Sequence, residues 1–240
     1  MFNALFLKKN LIIAAVVAIA ALSPVIVLLS AEATPSDAHA MPFTVVIDAG
    51  HGGIDGGVTG VKTGVKESDL NLSFSKTLKK YFLSAGFDVV TTRNTAAGLY
   101  GNASSSLKKT DMKNRKRIIE KAAPDIVISI HMNKYPLSSR RGAQVFYKQG
   151  DEEGKKFAAC VQKKLNAMEQ APRECDELGG DYYILNVSPC PAIIAECGFL
   201  SNTDDEALLL TETYREELCY AIYKGTVLFL SSENSESENA

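Results

Sequence analysis

Short apolar, β-branched runs alternate with longer segments of helical spacing along most of this chain. "FTVVID" (residues 43–48), "DIVISIH" (125–131) and "PAIIAE" (191–196) are apolar almost throughout. Runs of that length without polar alternation predict strands buried on both faces. "FDVVTTR" (87–93), "GAQVFYK" (142–148) and "DYYILN" (181–186) predict three more. In "ESDLNLSFSKTLKKYFLSAG" (67–86), Leu70, Phe74, Leu78, Tyr81 and Phe82 fall on one helical face, and Gly86 supplies a stop. Residues 113–123 predict a short basic helix ended by Pro124. Residues 152–169 predict an amphipathic helix, and 203–210 and 212–230 two closing helices. Residues 49–66 predict a glycine-rich loop, and the polar, serine-rich stretch 94–112 a long one.

This alternation predicts an α/β fold: a single domain with a mainly parallel central sheet of about six strands, flanked by helices on both faces. In such open sheets ligands bind beyond the carboxyl ends of the strands. The ends of the chain differ in character. Lys8 and Lys9 precede the uncharged stretch "LIIAAVVAIAALSPVIVLLS" (11–30). That is a positive n-region and an apolar h-region, near the ~20 residues that span a bilayer. Small-residue sites follow at Ala31-Glu32-Ala33 and Ala38-His39-Ala40. Residues 1–33 therefore predict a signal peptide or a membrane anchor working through residues 11–30, and 34–42 a linker. Either leader exports the domain at 43–231. The acidic, polar residues 232–240 predict a disordered tail.

Charge and cysteines narrow the picture. A net charge of −2 over 240 residues leaves no basic footprint, which sets nucleic acid aside. The five cysteines are odd in number and form no Cys-x-x-Cys pair. They read as small buried hydrophobes, with one disulfide as the alternative in an exported chain.

The candidate chemistry sits at strand ends. "VVID" leads to His51 within three residues, "DIVISI" runs into His131, and "PAIIA" into Glu196. In a parallel sheet all three reach one edge. Glu67 opens the first helix at the far end of the loop that His51 begins, so it too returns there. Two histidines and two glutamates are the inventory of a catalytic zinc site: three protein ligands, an open position for water, and a free carboxylate as base. Asp48 is a candidate to orient His51 through its ring N–H, or else a strand-end turn residue. Asn133 is a candidate substrate contact or a turn former. The basic group Lys113, Arg115, Lys116 and Arg117 either meets an anionic polymer or forms a solvated helix face. The loop's glycines lack both Gly-x-Gly-x-x-Gly and Gly-x-x-x-x-Gly-Lys spacing, which argues against a phosphate cradle.

"DAGHGGIDGGVTG", "KESDLNLSFSKTLKKYF", "DVVTTR", "DIVISIHMN" and "PAIIAECGFLSNTDDEALLL", in this order, resemble the zinc-dependent N-acetylmuramoyl-L-alanine amidases of the amidase-3 type. The resemblance implies one zinc per chain held by His51, Glu67 and His131, with Glu196 as catalytic carboxylate. It implies hydrolysis of the amide between the lactyl group of N-acetylmuramic acid and L-alanine in peptidoglycan. "GAQVFY", with Gln144 where many members carry an acid, and "LYGNASSSLKKTDMKNRKR" are most similar to the germination-specific, spore-cortex branch. There the cleavage leads to muramic-δ-lactam. The alternatives are a vegetative amidase of autolysis or cell separation, and a non-catalytic wall-binding module of the same fold. One departure stands out: the family's Arg-x-x-Ile-Ala-Asn reads "RKRIIE" here, with Arg115 in register and Glu120 in place of asparagine. Residence in the cell wall or the spore intermembrane space follows from the resemblance. An accessory protein that orders the 94–112 loop or secures the metal is left open.

Overall fold

The computed structural model describes residues 43–103 and 105–237; the expected leader and linker lie outside them. Among the described residues, six strands alternate with six helices: β1 (Thr44–Ala49), α1 (Glu67–Ser84), β2 (Asp88–Thr91), α2 (Leu107–Ala122), β3 (Ile126–Asn133), β4 (Gln144–Lys148), α3 (Glu152–Asn166), β5 (Leu178–Gly180), α4 (Tyr183–Asn186), β6 (Ala192–Phe199), α5 (Thr203–Leu209) and α6 (Glu212–Ser237). They form one sheet in the order β2-β1-β3-β6-β4-β5. The first four strands in that order are parallel. β4 runs antiparallel to β6, and β5 pairs parallel with β4.

From β1 the chain moves outward to β2 through α1, then back across to β3 through α2. Right-handed crossovers in opposite directions place those helices on opposite faces. Leu70, Phe74, Leu78 and Phe82 of α1 pack with Phe157 and Val161 of α3 and Leu218, Ile222 and Phe229 of α6 against Val45, Ile47, Ile128 and Ile130. On the other face Ile119 of α2 and Ile184 and Leu185 of α4 meet Val46, Val127 and Ile194. This second core is smaller, because much of that face near the strand ends is polar.

Three boundaries depart from the pattern-based expectation. α2 begins at Leu107, so the expected long loop ends six residues sooner. Its buried positions are Asp111, Arg115 and Ile119, a four-residue spacing that carries charge rather than apolar bulk and so escapes a hydrophobic count. Residues 181–186 are not a strand. The strand is Leu178–Gly180, and Tyr183–Asn186 form one helical turn, closed by Asn186 N–H to Tyr182 O at 3.0 Å. The aromatic and branched residues that suggested a strand instead pack on the sheet: Tyr182 lies 5.4 Å from Phe146, centroid to centroid. α6 continues to Ser237 rather than ending near residue 230. No glycine or proline interrupts residues 226–237, so nothing halts helix propagation. The five cysteines are free, with Cys175, Cys197 and Cys219 buried, so no bridge joins Cys190 to Cys197. No helix among the described residues is long and apolar enough to cross a membrane.

Candidate metal centre

Strand side chains alternate between the two faces of a sheet. Val127 and Ile194 lie on the α2–α4 face, so Ser129 and His131 of β3 and Glu196 of β6 belong to it as well. His131 and Glu196 are direct partners across the β3–β6 ladder. The parallel register therefore delivers them side by side, next to the carboxyl end of β1.

His51 arrives by a constrained turn. The ladder extends one residue past β1 through Gly50 N–H to Ile130 O at 3.1 Å. A Cβ on Gly50 would collide with the His131 ring, so only glycine lets the loop pass. His51 itself has φ 59°, a left-handed conformation costing a side-chain-bearing residue roughly 1–2 kcal/mol. Arg115 Nη2 donates to His51 O at 2.6 Å and holds the turn in place. Glu67 is the first residue of α1, where the helix dipole favours a negative charge. Its backbone N–H bonds Val58 O at 2.9 Å, and its Oε2 accepts from Val58 N–H at 2.8 Å. The loop tip is tied down by Glu206, which accepts from Lys62 N–H, Thr63 N–H and Thr63 Oγ1 at 2.6–2.8 Å.

Three donors converge. Glu67 Oε1 lies 2.9 Å from His131 Nδ1 and 3.3 Å from His51 Nε2. One ligand atom from each residue falls within 4.8 Å of the others. Met132 N–H and Asn71 Nδ2 also donate to Glu67 Oε1, each at 3.2 Å. The electrostatics suit a cation. Burial alone would lower the His51 pKa, but the Glu67 and Asp55 carboxylates raise it to about 9. Burial alone would raise Glu67, but the two imidazoles hold it well below the usual carboxylate range. Glu196 differs: burial pushes it up to about 7, with His131 opposing and Glu67 adding to the rise. Its Oε2 is a buried oxygen without a hydrogen-bond partner among the described residues. Two imidazoles and a carboxylate, beside a carboxyl group with no structural partner, match the donor set and free base of a zinc hydrolase. A cavity of about 280 Å³ opens here, walled by His51, His131, Glu196, Met112 and Tyr183.

The remaining sequence candidates separate. Asp48 does not orient His51. It is buried beneath the site, where it accepts from Thr92 Oγ1 and Ser129 Oγ at 2.6 Å and Arg115 Nη1 at 2.5 Å. The group facing His51 Nδ1, at 2.9 Å, is Asp55, which the sequence reading passed over as a loop residue. Arg115 is not part of a solvated face. It is 1% exposed and also bonds Asp111 at 2.6 Å and Ala49 O at 2.7 Å. Asn133 caps its own turn, accepting from Lys134 N–H at 2.7 Å, which fits the turn-forming alternative. Arg93, also missed, holds the carbonyls of Ala49, Gly50 and Ser68 at 2.8–2.9 Å and so fixes both the His51 loop and the start of α1. Gln144 pairs with Glu196 across β4–β6 and turns its amide to Asp176 O at 2.6 Å. That position adds no negative charge beside Glu196.

A wound α/β sheet with this His/Glu cluster at its carboxyl edge has the layout of a metal-assisted hydrolase. Comparison with known proteins makes the class specific. The chain belongs to the amidase-3 family of N-acetylmuramoyl-L-alanine amidases, whose family model matches residues 45–227. It is an enzyme of that activity, acting on peptidoglycan. The germination-specific N-acetylmuramoyl-L-alanine amidase of Bacillus subtilis (strain 168) is 31% identical over 198 residues, covering 81% of this chain and 82% of that protein. Among solved structures, the CwlD amidase from Clostridioides difficile, in complex with the GerS lipoprotein, superposes with a TM-score of 0.76 at 33% identity. That match covers 79% of this chain and 99% of the other. An N-acetylmuramoyl-L-alanine amidase from Clostridium difficile 630 follows at TM-score 0.71 and 28% identity, over 80% and 98%.

Proposed function

We propose that this chain is a zinc-dependent amidase of spore-cortex peptidoglycan, cleaving between the lactyl group of N-acetylmuramic acid and L-alanine. The observation that carries the chemistry is the convergence of His51, Glu67 and His131 beside the unpartnered Glu196 carboxyl. His51, Glu67 and His131 would hold the metal. A bound zinc supplies Lewis acidity to the amide oxygen and acidifies a water. The protein residues do the rest. Glu196 accepts the water's proton as the oxygen attacks the lactyl carbonyl carbon, and delivers it to the L-alanine nitrogen as the C–N bond breaks. The products are the muramoyl carboxylic acid and a stem peptide with a free amine. Asp55 orients His51, while Arg93 and Arg115 hold the loop carbonyls that aim it. Asp48 anchors Arg115 from below.

The cortex assignment draws on the germination-specific relative and the CwlD structure. The same structure, solved with a lipoprotein, supports an accessory protein for this chain. Export to the wall or the spore intermembrane space, through a cleaved leader or an anchor at residues 11–30, belongs to the same reading. Glu196→Gln tests the role of the base. The variant is expected to bind zinc with unchanged stoichiometry and to release no stem peptide from purified sacculi. Near-normal release would remove Glu196 from the mechanism.

A further inference from the structure

A second, larger groove adjoins the cavity at Glu196. It has a volume of about 850 Å³ and runs along the outer side of α2 to Tyr183 of α4. Lys108, Met112 and Tyr183 line both hollows, so the two are immediate neighbours. The groove is basic. Lys108, Lys109, Lys113, Lys116 and Arg117 border it, against the single carboxylate of Glu120. Glu120 is engaged with Lys116 at 3.4 Å. The other acid of the helix, Asp111, is turned inward to Arg115. Among the described residues no carboxylate lies within ion-pair distance of Lys108, Lys109 or Lys113.

This arrangement works against the helix that carries it. Lys108 and Lys109 occupy the first turn of α2, which holds no acid, and Ser106 ahead of it makes no side-chain cap. Cations at a helix N-terminus oppose the macrodipole, and like charges four residues apart repel. Local rules broken without structural gain mark functional positions. The substrate supplies the counter-charge in one direction only. A glycan of N-acetylated sugars is uncharged once its lactyl carboxyl is in amide linkage. The peptide beyond L-alanine carries free carboxylates.

We infer that the α2 groove is the subsite for the anionic stem peptide, with Lys109 and Lys113 pairing its free carboxylates while the scissile amide lies at Glu196. This rests on the amidase reading above. It makes the enzyme selective for stems whose carboxylates are free over stems in which they are amidated.

The test uses the zinc-loaded protein and the double variant Lys109→Gln/Lys113→Gln. Two soluble muramoyl-peptides serve as substrates, identical except for amidation of the stem carboxylates. Two exposed ion pairs lost should lower kcat/KM on the free-carboxylate substrate about five- to tenfold, mostly through KM. The amidated substrate should change less than about twofold, and added salt should shrink the wild-type preference. The isolated free-carboxylate stem peptide, titrated calorimetrically, should bind wild type more tightly than the variant by the same factor. Equal losses on both substrates, or none, with cleavage intact would overturn the subsite and leave the amidase reading standing. Binding of the stem peptide without cleavage of either substrate would do the reverse.

Discussion

Arg115→Met cuts the support beneath the site while keeping side-chain bulk. Arg115 is 1% exposed. Its guanidinium bonds Asp111 and Asp48 and the carbonyls of Ala49 and His51, all at 2.5–2.7 Å. Methionine leaves Asp48, 2% exposed, with only the Thr92 and Ser129 hydroxyls, strands the His51 carbonyl, and leaves Ala49 O to Arg93 alone. Removing one partner of a buried pair costs about 3–5 kcal/mol. With a urea slope of about 2 kcal/mol/M, that lowers the unfolding midpoint by roughly 2 M. Adding Asp48→Asn removes the orphaned charge and is expected to restore about 1–2 kcal/mol. Zinc affinity should fall as well, because the His51 turn loses its hold. A change within about 0.5 kcal/mol, as expected for a surface lysine, would return Arg115 to the solvated face of α2.

Two further outcomes follow from the same geometry. Asp55→Asn should weaken zinc about 10–100-fold by competition titration, through loss of the carboxylate facing His51 Nδ1. It should leave the metal-free melting temperature nearly unchanged, and unaltered affinity would make Asp55 a plain loop residue. Burial would raise the Asp48 pKa, but Arg115 and the Ser129 and Thr92 hydroxyls lower it from an ordinary 3.8 to about 2. A depressed folded-state pKa means stability present above pH 3.8 and lost as pH falls toward 2, amounting to about 2 kcal/mol. In acid-dependent unfolding, Asp48→Asn should flatten that part of the profile, and an unchanged slope would contradict it.

The strand-borne part of the site was legible in the sequence for a physical reason. Strands buried on both faces must be apolar, so a histidine or glutamate closing "DIVISI" or "PAIIA" stands out. Parallel packing then fixes where it arrives. Glu67 was legible because it opens a helix whose apolar spacing is plain. The supporting residues were not. Asp55 and Arg93 act on backbone carbonyls and ring nitrogens brought near by the His51 turn, and no spacing along the chain records such contacts. Arg115 did leave a trace, since Asp111, Arg115 and Ile119 recur every four residues. Its basic neighbours hid the one cation that points inward. The turn at residues 183–186 misled because tyrosine, isoleucine and leucine suit a strand and a buried helical turn alike. The start of α2 misled because a helix covering a polar cavity has no apolar stripe to show.

A metal held by His51, Glu67 and His131 is proposed to enable cleavage of the muramoyl–L-alanine amide. Mass spectrometry of the fragments released from purified cortex and vegetative sacculi, before and after chelation and after return of stoichiometric zinc, tests it most directly. Cortex should yield stem peptides with a free L-alanine amine and muramoyl carboxylates. Their release should be abolished by chelation and restored by one zinc per chain. Release that persists in the fully metal-free protein, or cleavage at a glycosidic or interpeptide bond, would contradict it.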